Sequence, residues 1–237
     1  MTEALEKVKG IKYLPIVYTP QMVLLPYLHE KLKIGTLSHR QLIKDASHDN
    51  KFFGINFLDK NSAAATDKPE IGSIGCVAEM KRIKLSAGGG KIVELTGVIR
   101  YIIENYIESG EGYTVAEVTF FEDEPEDEEI LDELILEAAK IIQQIFIKSL
   151  ETVGKKIGEP PLLKGFPMPS SFIYADLFMF GNDTRQLFLQ YRLTSERLKA
   201  CIERLIKFED ATENILFRQK LLKPFYSISN PHKPHLG

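Results

Sequence analysis

The sequence contains no tryptophan, only two cysteines, no surplus of basic residues and no apolar run long enough to cross a bilayer. Each shortage removes a class of protein. Cys76 and Cys201 lie far apart and match neither a zinc-ligand spacing nor a disulfide framework, so both are expected to be reduced and buried. Thirty Lys and Arg against 33 Asp and Glu leave a net charge of -3, which provides no global field for gathering phosphates or anionic lipid. A membrane helix needs about 18 to 20 apolar residues in succession, and none is found. The first ten residues, MTEALEKVKG, carry Glu3 and Glu6 and lack the apolar centre of a secretory leader. A soluble, cytoplasmic chain without a membrane partner is the expectation.

What is present suits a folded chain. With 237 residues, 44% hydrophobic and 27% charged, it can enclose a large core. Tyr13 to Leu25 reads as short β-compatible runs punctuated by Pro15, Pro20 and Pro26, positions that belong at strand starts, edges or turns. Leu37, Gln41, Leu42 and Ala46 fall at helical intervals and predict one short helix, with Ser38 as its cap. KFFGINFL, Lys51 to Leu58, reads as a buried strand in which Gly54 allows a close backbone approach. Ile71 to Leu85 and Lys91 to Ile107, joined through Gly88, Gly89 and Gly90, predict a β-hairpin, and Tyr113 to Phe121 a further strand. With no alternating β-α units in this part, an antiparallel barrel or sandwich is favoured.

The texture changes at the acidic stretch EDEPEDEE, Glu122 to Glu129, read as a solvated linker leading to carboxylates at a helix N-terminus. Ile130, Leu134, Ile135, Ala138, Ile141, Ile142 and Ile145 then recur at three- and four-residue intervals, the stripe of an amphipathic helix. Gly165 to Ser171 reads as a loop. Further helices are predicted over SFIYADLFMF, over DTRQLFLQY, and from Ser195 to about Leu222, the last with Arg197, Lys199, Glu203 and Arg204 on its wet face. The fold class is therefore α+β: residues 1-124 a β domain, 125-225 a helical subdomain, and 226-237 a polar tail expected to be disordered.

No set of residues assembles into a catalytic, metal or cofactor motif. The glycine triplet before Lys91 fails as a phosphate loop, because Leu85 stands where the first glycine belongs and Ile92 where a hydroxyl belongs. His29 and Glu30 begin like a zinc-protease helix, but Lys33 occupies the second histidine's place. His39 and His48 lack a third ligand, and His232 and His235 lie in the tail. Ser73 lacks the offset of a nucleophile elbow, and Cys76 sits in an apolar strand where a thiol is inert. No enzyme activity and no cofactor are expected.

Taken in order, LPIVYTPQMVLLP (Leu14 to Pro26), RQLIKDA (Arg40 to Ala46), FFGINFL (Phe52 to Leu58), IGSIGCVAEM (Ile71 to Met80), LTGVIRYIIENYI (Leu95 to Ile107) and YTVAEVTFFEDE (Tyr113 to Glu124) resemble the N-terminal substrate-recognition domain of Lon proteases. LTSERLKACIERL, Leu193 to Leu205, looks like that family's final helix. The resemblance implies a PUA-like antiparallel β barrel followed by a helical subdomain, as in stand-alone bacterial members and in cereblon. Two departures stand out. Thr36 and Leu37 replace the family's usual Glu-Pro pair, and neither the ATPase nor the serine-lysine peptidase of a full Lon protease is found in the sequence.

The implied function is non-catalytic recognition of unfolded or exposed polypeptide, as an adaptor in protein quality control with a protease or chaperone as candidate partner. Phe172, Tyr174 and Phe178, at the expected meeting of barrel and helices, are the candidate polypeptide-binding residues, although aromatic residues at helical spacing are more often core. The alternative is an RNA-binding PUA-like protein using Lys81, Arg82, Lys84 and Lys91; nucleic acid is the less favoured partner, given the acidic whole.

Overall fold

β-branched and aromatic residues alternating with polar ones generate six strands among the described residues of the first half of the chain. A computed structural model describes residues 2–58, 68–85, 90–108, 110–152, 166–177 and 181–210. The strands are β1 (Tyr13–Thr19), β2 (His29–Ile34), β3 (Phe52–Phe57), β4 (Ile74–Leu85), β5 (Lys91–Ile107) and β6 (Val115–Phe121). The helices are α1 (Glu3–Lys7), α2 (Leu37–His48), α3 (Glu128–Thr152), α4 (Pro167–Leu177), α5 (Asn182–Gln190) and α6 (Thr194–Asp210). The chain divides into two units: residues 1–123 with 180–192, and residues 124–179 with 193–237.

In the first unit the six strands form one sheet in the order β2-β5-β4-β3-β1-β6, and β6 also pairs with β5. The β4–β5 hairpin is present as expected, with register shifts between Cys76 and Ala78 and between Met80 and Arg82. The expectation of an antiparallel arrangement fails at one ladder: β1 and β3 are parallel, with Ile16 opposite Gly54 and Thr19 opposite Phe57. Parallel neighbours need a crossover, and the segment holding β2 and α2 supplies it. Strand β2 went unread because HEKLKI alternates only weakly; Leu32 and Ile34 are buried while His29, Lys31 and Lys33 are exposed. Of the run read from Tyr13 to Leu25, only Tyr13–Thr19 forms a strand.

The core of this unit gathers Val8, Leu14, Ile16, Val77, Val98, Ile99, Tyr101, Ile103, Ala116 and Val118, and helix α1 packs on it through Ala4 and Leu5. Tyr101 is fully buried, and two glycines make room for it. A Cβ built on Gly54 would stand 2.3 Å from the phenol oxygen, and one on Gly75 2.6 Å from it. What approaches Gly54 is thus a tyrosine ring rather than a backbone. The backbone approach occurs at Gly97, where a Cβ would meet the Leu25 carbonyl at 2.1 Å. Helix α2 is capped by Thr36, whose hydroxyl accepts from the His39 N–H at 3.1 Å, two residues ahead of the expected Ser38. Leu37 is exposed, so the Thr-Leu pair gains its local order from the cap and not from burial.

In the second unit α6 packs against α3 and α4. Ile135, Ala138, Ala139, Ile142 and Ile145 form the buried stripe of α3, and Leu198, Cys201, Ile202 and Leu205 that of α6. Arg197, assigned to the wet face by sequence, is instead fully buried. Its Nε donates to Ser171 Oγ at 2.9 Å, Nη2 donates to Thr194 Oγ1 at 3.2 Å, and its guanidinium lies 4.1 Å from the Phe172 ring centre. Burial of a cation is tolerable because its donors are met and an aromatic face covers it. Helix α4 starts at Pro167, inside the stretch read as loop, since proline is accommodated in a first turn. The Ser195 N–H at the start of α6 donates to the Glu126 carboxylate at 3.1 Å, giving one member of the acidic stretch a capping role. The tail at 226–237 and the end of the last predicted helix lie outside the described residues.

Candidate functional site

Within the first unit, the end of β3, the approach to β4 and one face of α5 enclose a cleft of about 510 Å³ lined by Asn56, Phe57, Gly72, Ser73, Ile74, Gln186 and Gln190. Gln186 and Gln190 are four residues apart, so both fall on the same side of α5. Helix α5 is held to the strands by directed bonds. Arg185 Nη1 donates to the Val23 carbonyl at 3.4 Å and pairs with Glu30 at 3.2 Å. Arg100, itself buried, donates to the carbonyls of Leu189 (3.1 Å) and Tyr191 and pairs with Asp123. Phe121 lies between two guanidiniums, 4.5 Å from that of Arg100 and 3.9 Å from that of Arg192.

Two amides of the cleft differ in how they are satisfied. Asn56, 1% exposed, accepts through Oδ1 from the Tyr101 hydroxyl. Burial pushes that phenol well above its ordinary pKa, so it stays protonated and acts as donor. Gln186 donates through Nε2 to the Ile74 carbonyl at 2.9 Å, which fixes the orientation of its amide. Its Oε1 is buried and has no partner. Such an acceptor costs about 1–3 kcal/mol if left alone and is relieved by any ligand that brings an N–H. The lining is uncharged: three amides, one hydroxyl, Phe57 and Ile74. Ile71 and Leu187, each one residue in sequence from a lining residue, are 62% and 43% exposed.

This chemistry suits binding and does not suit proton transfer. Three amides and a hydroxyl can pair with the donors and acceptors of a peptide main chain, while the lining holds no acid, base or thiol. The three described histidines are occupied elsewhere: His29 Nδ1 lies 2.7 Å from Thr96 Oγ1, His39 stacks edge-on with Tyr18, and His48 Nδ1 lies 2.7 Å from the Lys44 carbonyl. Cys76 and Cys201 are buried as anticipated, and burial pushes both thiols up to about 12. No group of three metal-ligating side chains occurs among the described residues.

The aromatic residues singled out by sequence sit in the second unit. Phe172 and Tyr174, on α4, are 1% and 6% exposed, and Phe178 lies outside the described residues. Gly88 and Gly89 of the glycine triplet, with His232 and His235, are outside them too. Sequence reasoning missed Asn56, Gln186 and Gln190. Isolated amides carry no spacing signal, and the i, i+4 pair on α5 was the one cue available.

Comparison with known proteins agrees with this architecture. No curated protein sequence matches the chain. In solved structures, the chain is similar to the Lon N-terminal domain protein from Xanthomonas campestris, with TM-score 0.56 and 18% identity over 81% of this chain and 98% of that one. It is also similar to the N-terminal domain of Mycobacterium avium complex Lon protease, with TM-score 0.63 and 17% identity over 82% of this chain and 98% of the other. At such identities the likeness concerns the fold alone. Residues 13–207 match the family of the ATP-dependent protease La (LON) substrate-binding domain, a span that takes in every strand, the cleft with α5, and most of α6. By that match, and with the α+β architecture in accord, the chain belongs to the Lon substrate-binding domain family.

Proposed function

We propose that the chain binds extended, unfolded polypeptide in the cleft between β3, β4 and α5, without covalent chemistry. The observation that carries the reading is the buried Gln186 Oε1, an acceptor without a donor in an uncharged, amide-lined cleft. A peptide N–H would satisfy it, Phe57 and Ile74 would take an apolar side chain, and the exposed Ile71 and Leu187 would extend the apolar contact. Membership of a substrate-binding family makes polypeptide the natural ligand class. The ladders linking β1, β3, β4, β5 and β6 in turn support a PUA-like barrel as the scaffold. An adaptor role, passing clients to a separate protease or chaperone, extends the same reading.

Phe172, Tyr174 and Phe178 belong to a second proposed surface. The burial of the first two means that α4 would have to open before they could meet a client. The cleft gives RNA binding no support, because its lining lacks any cation.

The test is fluorescence anisotropy of a labelled, permanently unfolded polypeptide titrated with the chain, with its folded form and a single-stranded RNA as controls. Saturable binding to the unfolded form is expected. Gln186→Met, which keeps length and removes the acceptor, should weaken it about 5-fold, the equivalent of one hydrogen bond of ~1 kcal/mol. Unchanged affinity with an intact fold would move the site elsewhere.

A further inference from the structure

The chain is acidic overall, yet one face of its sheet is not. Register places His29, Lys31 and Lys33 of β2 beside Thr96, Glu94 and Ile92 of β5, and these beside Glu79, Arg82 and Lys84 of β4. Lys81, at the register shift in β4, pairs with Glu79, and Lys84 pairs with Glu94. The face therefore carries five cations (Lys31, Lys33, Lys81, Arg82, Lys84) and two carboxylates (Glu79, Glu94), a balance of +3 on a chain of -3. Lys31, Lys33 and Arg82 are exposed and have no ion-pair partner among the described residues. The hydrogen bond from Lys84, with added charge from Lys31 and Arg82, holds the Glu94 carboxyl below its ordinary value, as expected beside an excess of cations.

The same face ends at a strand edge. Among the described residues β2 pairs with β5 alone. The Gly97 N–H donates to the Leu28 carbonyl at 2.9 Å, which sets the phase of the ladder. Alternate residues bond in an antiparallel pair, so Glu30, Leu32 and Ile34 turn their main-chain groups to β5, and His29, Lys31 and Lys33 turn theirs outward. Three N–H and three C=O groups thus line an edge whose exposed side chains are basic. Lysine on an edge ordinarily deters pairing. Here the cations continue across β4, giving a field that repels basic strands and attracts acidic ones.

We propose that the β2 edge takes an acidic, extended polypeptide segment by strand addition, with alternate carboxylates over Lys31 and Lys33 and the β4 cations adding attraction from further across the face. The inference rests on the polypeptide-binding reading for its ligand class alone, and it uses a surface distinct from the cleft. RNA fits less well: His29 is the one aromatic side chain that the β2–β5 and β4–β5 registers place on this face, and its ring is engaged by Thr96, with Nδ1 2.7 Å from Oγ1.

The experiment uses the full chain and a labelled ten-residue peptide alternating Glu and Thr, its Lys-Thr counterpart, and two N-methylated forms of the acidic peptide blocked at odd or at even positions. The acidic peptide should bind about 10-fold or more tightly than its Lys-Thr counterpart. One phase of N-methylation should cost about 10-fold or more and the other little, because a strand presents alternate N–H groups to its neighbour. Lys31→Glu with Lys33→Glu, both exposed changes checked by circular dichroism, should weaken binding by about 10-fold. The preference for the acidic over the Lys-Thr peptide should vanish in the Lys31→Glu, Lys33→Glu variant, whereas weakening of both peptides alike would report on the cleft, which separates failure here from failure of that reading. Equal tolerance of both methylation phases would reduce the effect to charge alone and overturn strand addition. Tighter binding of single-stranded RNA would make the face a nucleic-acid surface, and no binding would leave the lysines as guards of the edge; each overturns the proposal.

Discussion

Tyr101→Phe is the sharpest probe of how the cleft is supported. The ring is fully buried between Gly54 and Gly75, so phenylalanine fills the same space without a cavity. What is lost is the hydroxyl donating to Asn56 Oδ1, and Asn56 is 1% exposed, so water does not readily replace it. The cost combines the lost bond with an acceptor left alone, about 1–3 kcal/mol. Urea unfolding followed by circular dichroism should show a lower midpoint at unchanged slope. Tyr106→Phe is the internal control: its hydroxyl donates to the Pro69 carbonyl at 2.5 Å, but the residue is only part-buried, so water can take over and the cost should fall below about 1 kcal/mol. Equal losses for the two variants, or a loss under about 0.5 kcal/mol for Tyr101→Phe, would refute the argument that burial makes the Asn56 bond expensive to break.

Arg100→Met should destabilise the chain by about 3–5 kcal/mol, because it strands the Asp123 carboxylate, whose side chain is 8% exposed, and frees the Leu189 and Tyr191 carbonyls. Adding Asp123→Asn should recover part of that loss, and hydrogen exchange should show α5 less protected in the single variant. Cys76 and Cys201 should resist a thiol reagent at pH 8 until the chain unfolds, since both are held protonated, up to about 12 against an ordinary 9.0. The sign follows from linkage: the folded state keeps protons that the unfolded state releases, so this stabilisation is full below pH 9 and is lost as pH rises toward 12. A melting temperature independent of pH across that window would contradict the burial of both thiols.

Much of the architecture was legible in local pattern. The hairpin of β4 and β5, the short helix α2 and the apolar stripe of α3 each follow from periodicity that a chain segment carries by itself. Strand β2 was not legible: it is a lone edge, buried on one side by only Leu32 and Ile34, and its lysines look like any solvated run. Arg197 was misplaced for a related reason. Helical phase put it beside Lys199 and Glu203, but Phe172, Ser171 and Thr194 together make a polar, aromatic-lined niche that no periodicity encodes.

By itself, then, the sequence determined the fold class, the order of most elements and the family, because hydrophobic period and turn residues act over short distances along the chain. Tertiary structure alone decided what those elements assemble. It made β1 and β3 parallel, brought Asn56 and Ser73 to Gln186 across more than a hundred residues, and left Gln186 Oε1 without a donor. It also turned scattered lysines and an arginine into one basic edge on an acidic chain. Hydrogen-bond satisfaction and surface charge are properties of what lies nearby in space, and only the folded chain specifies that.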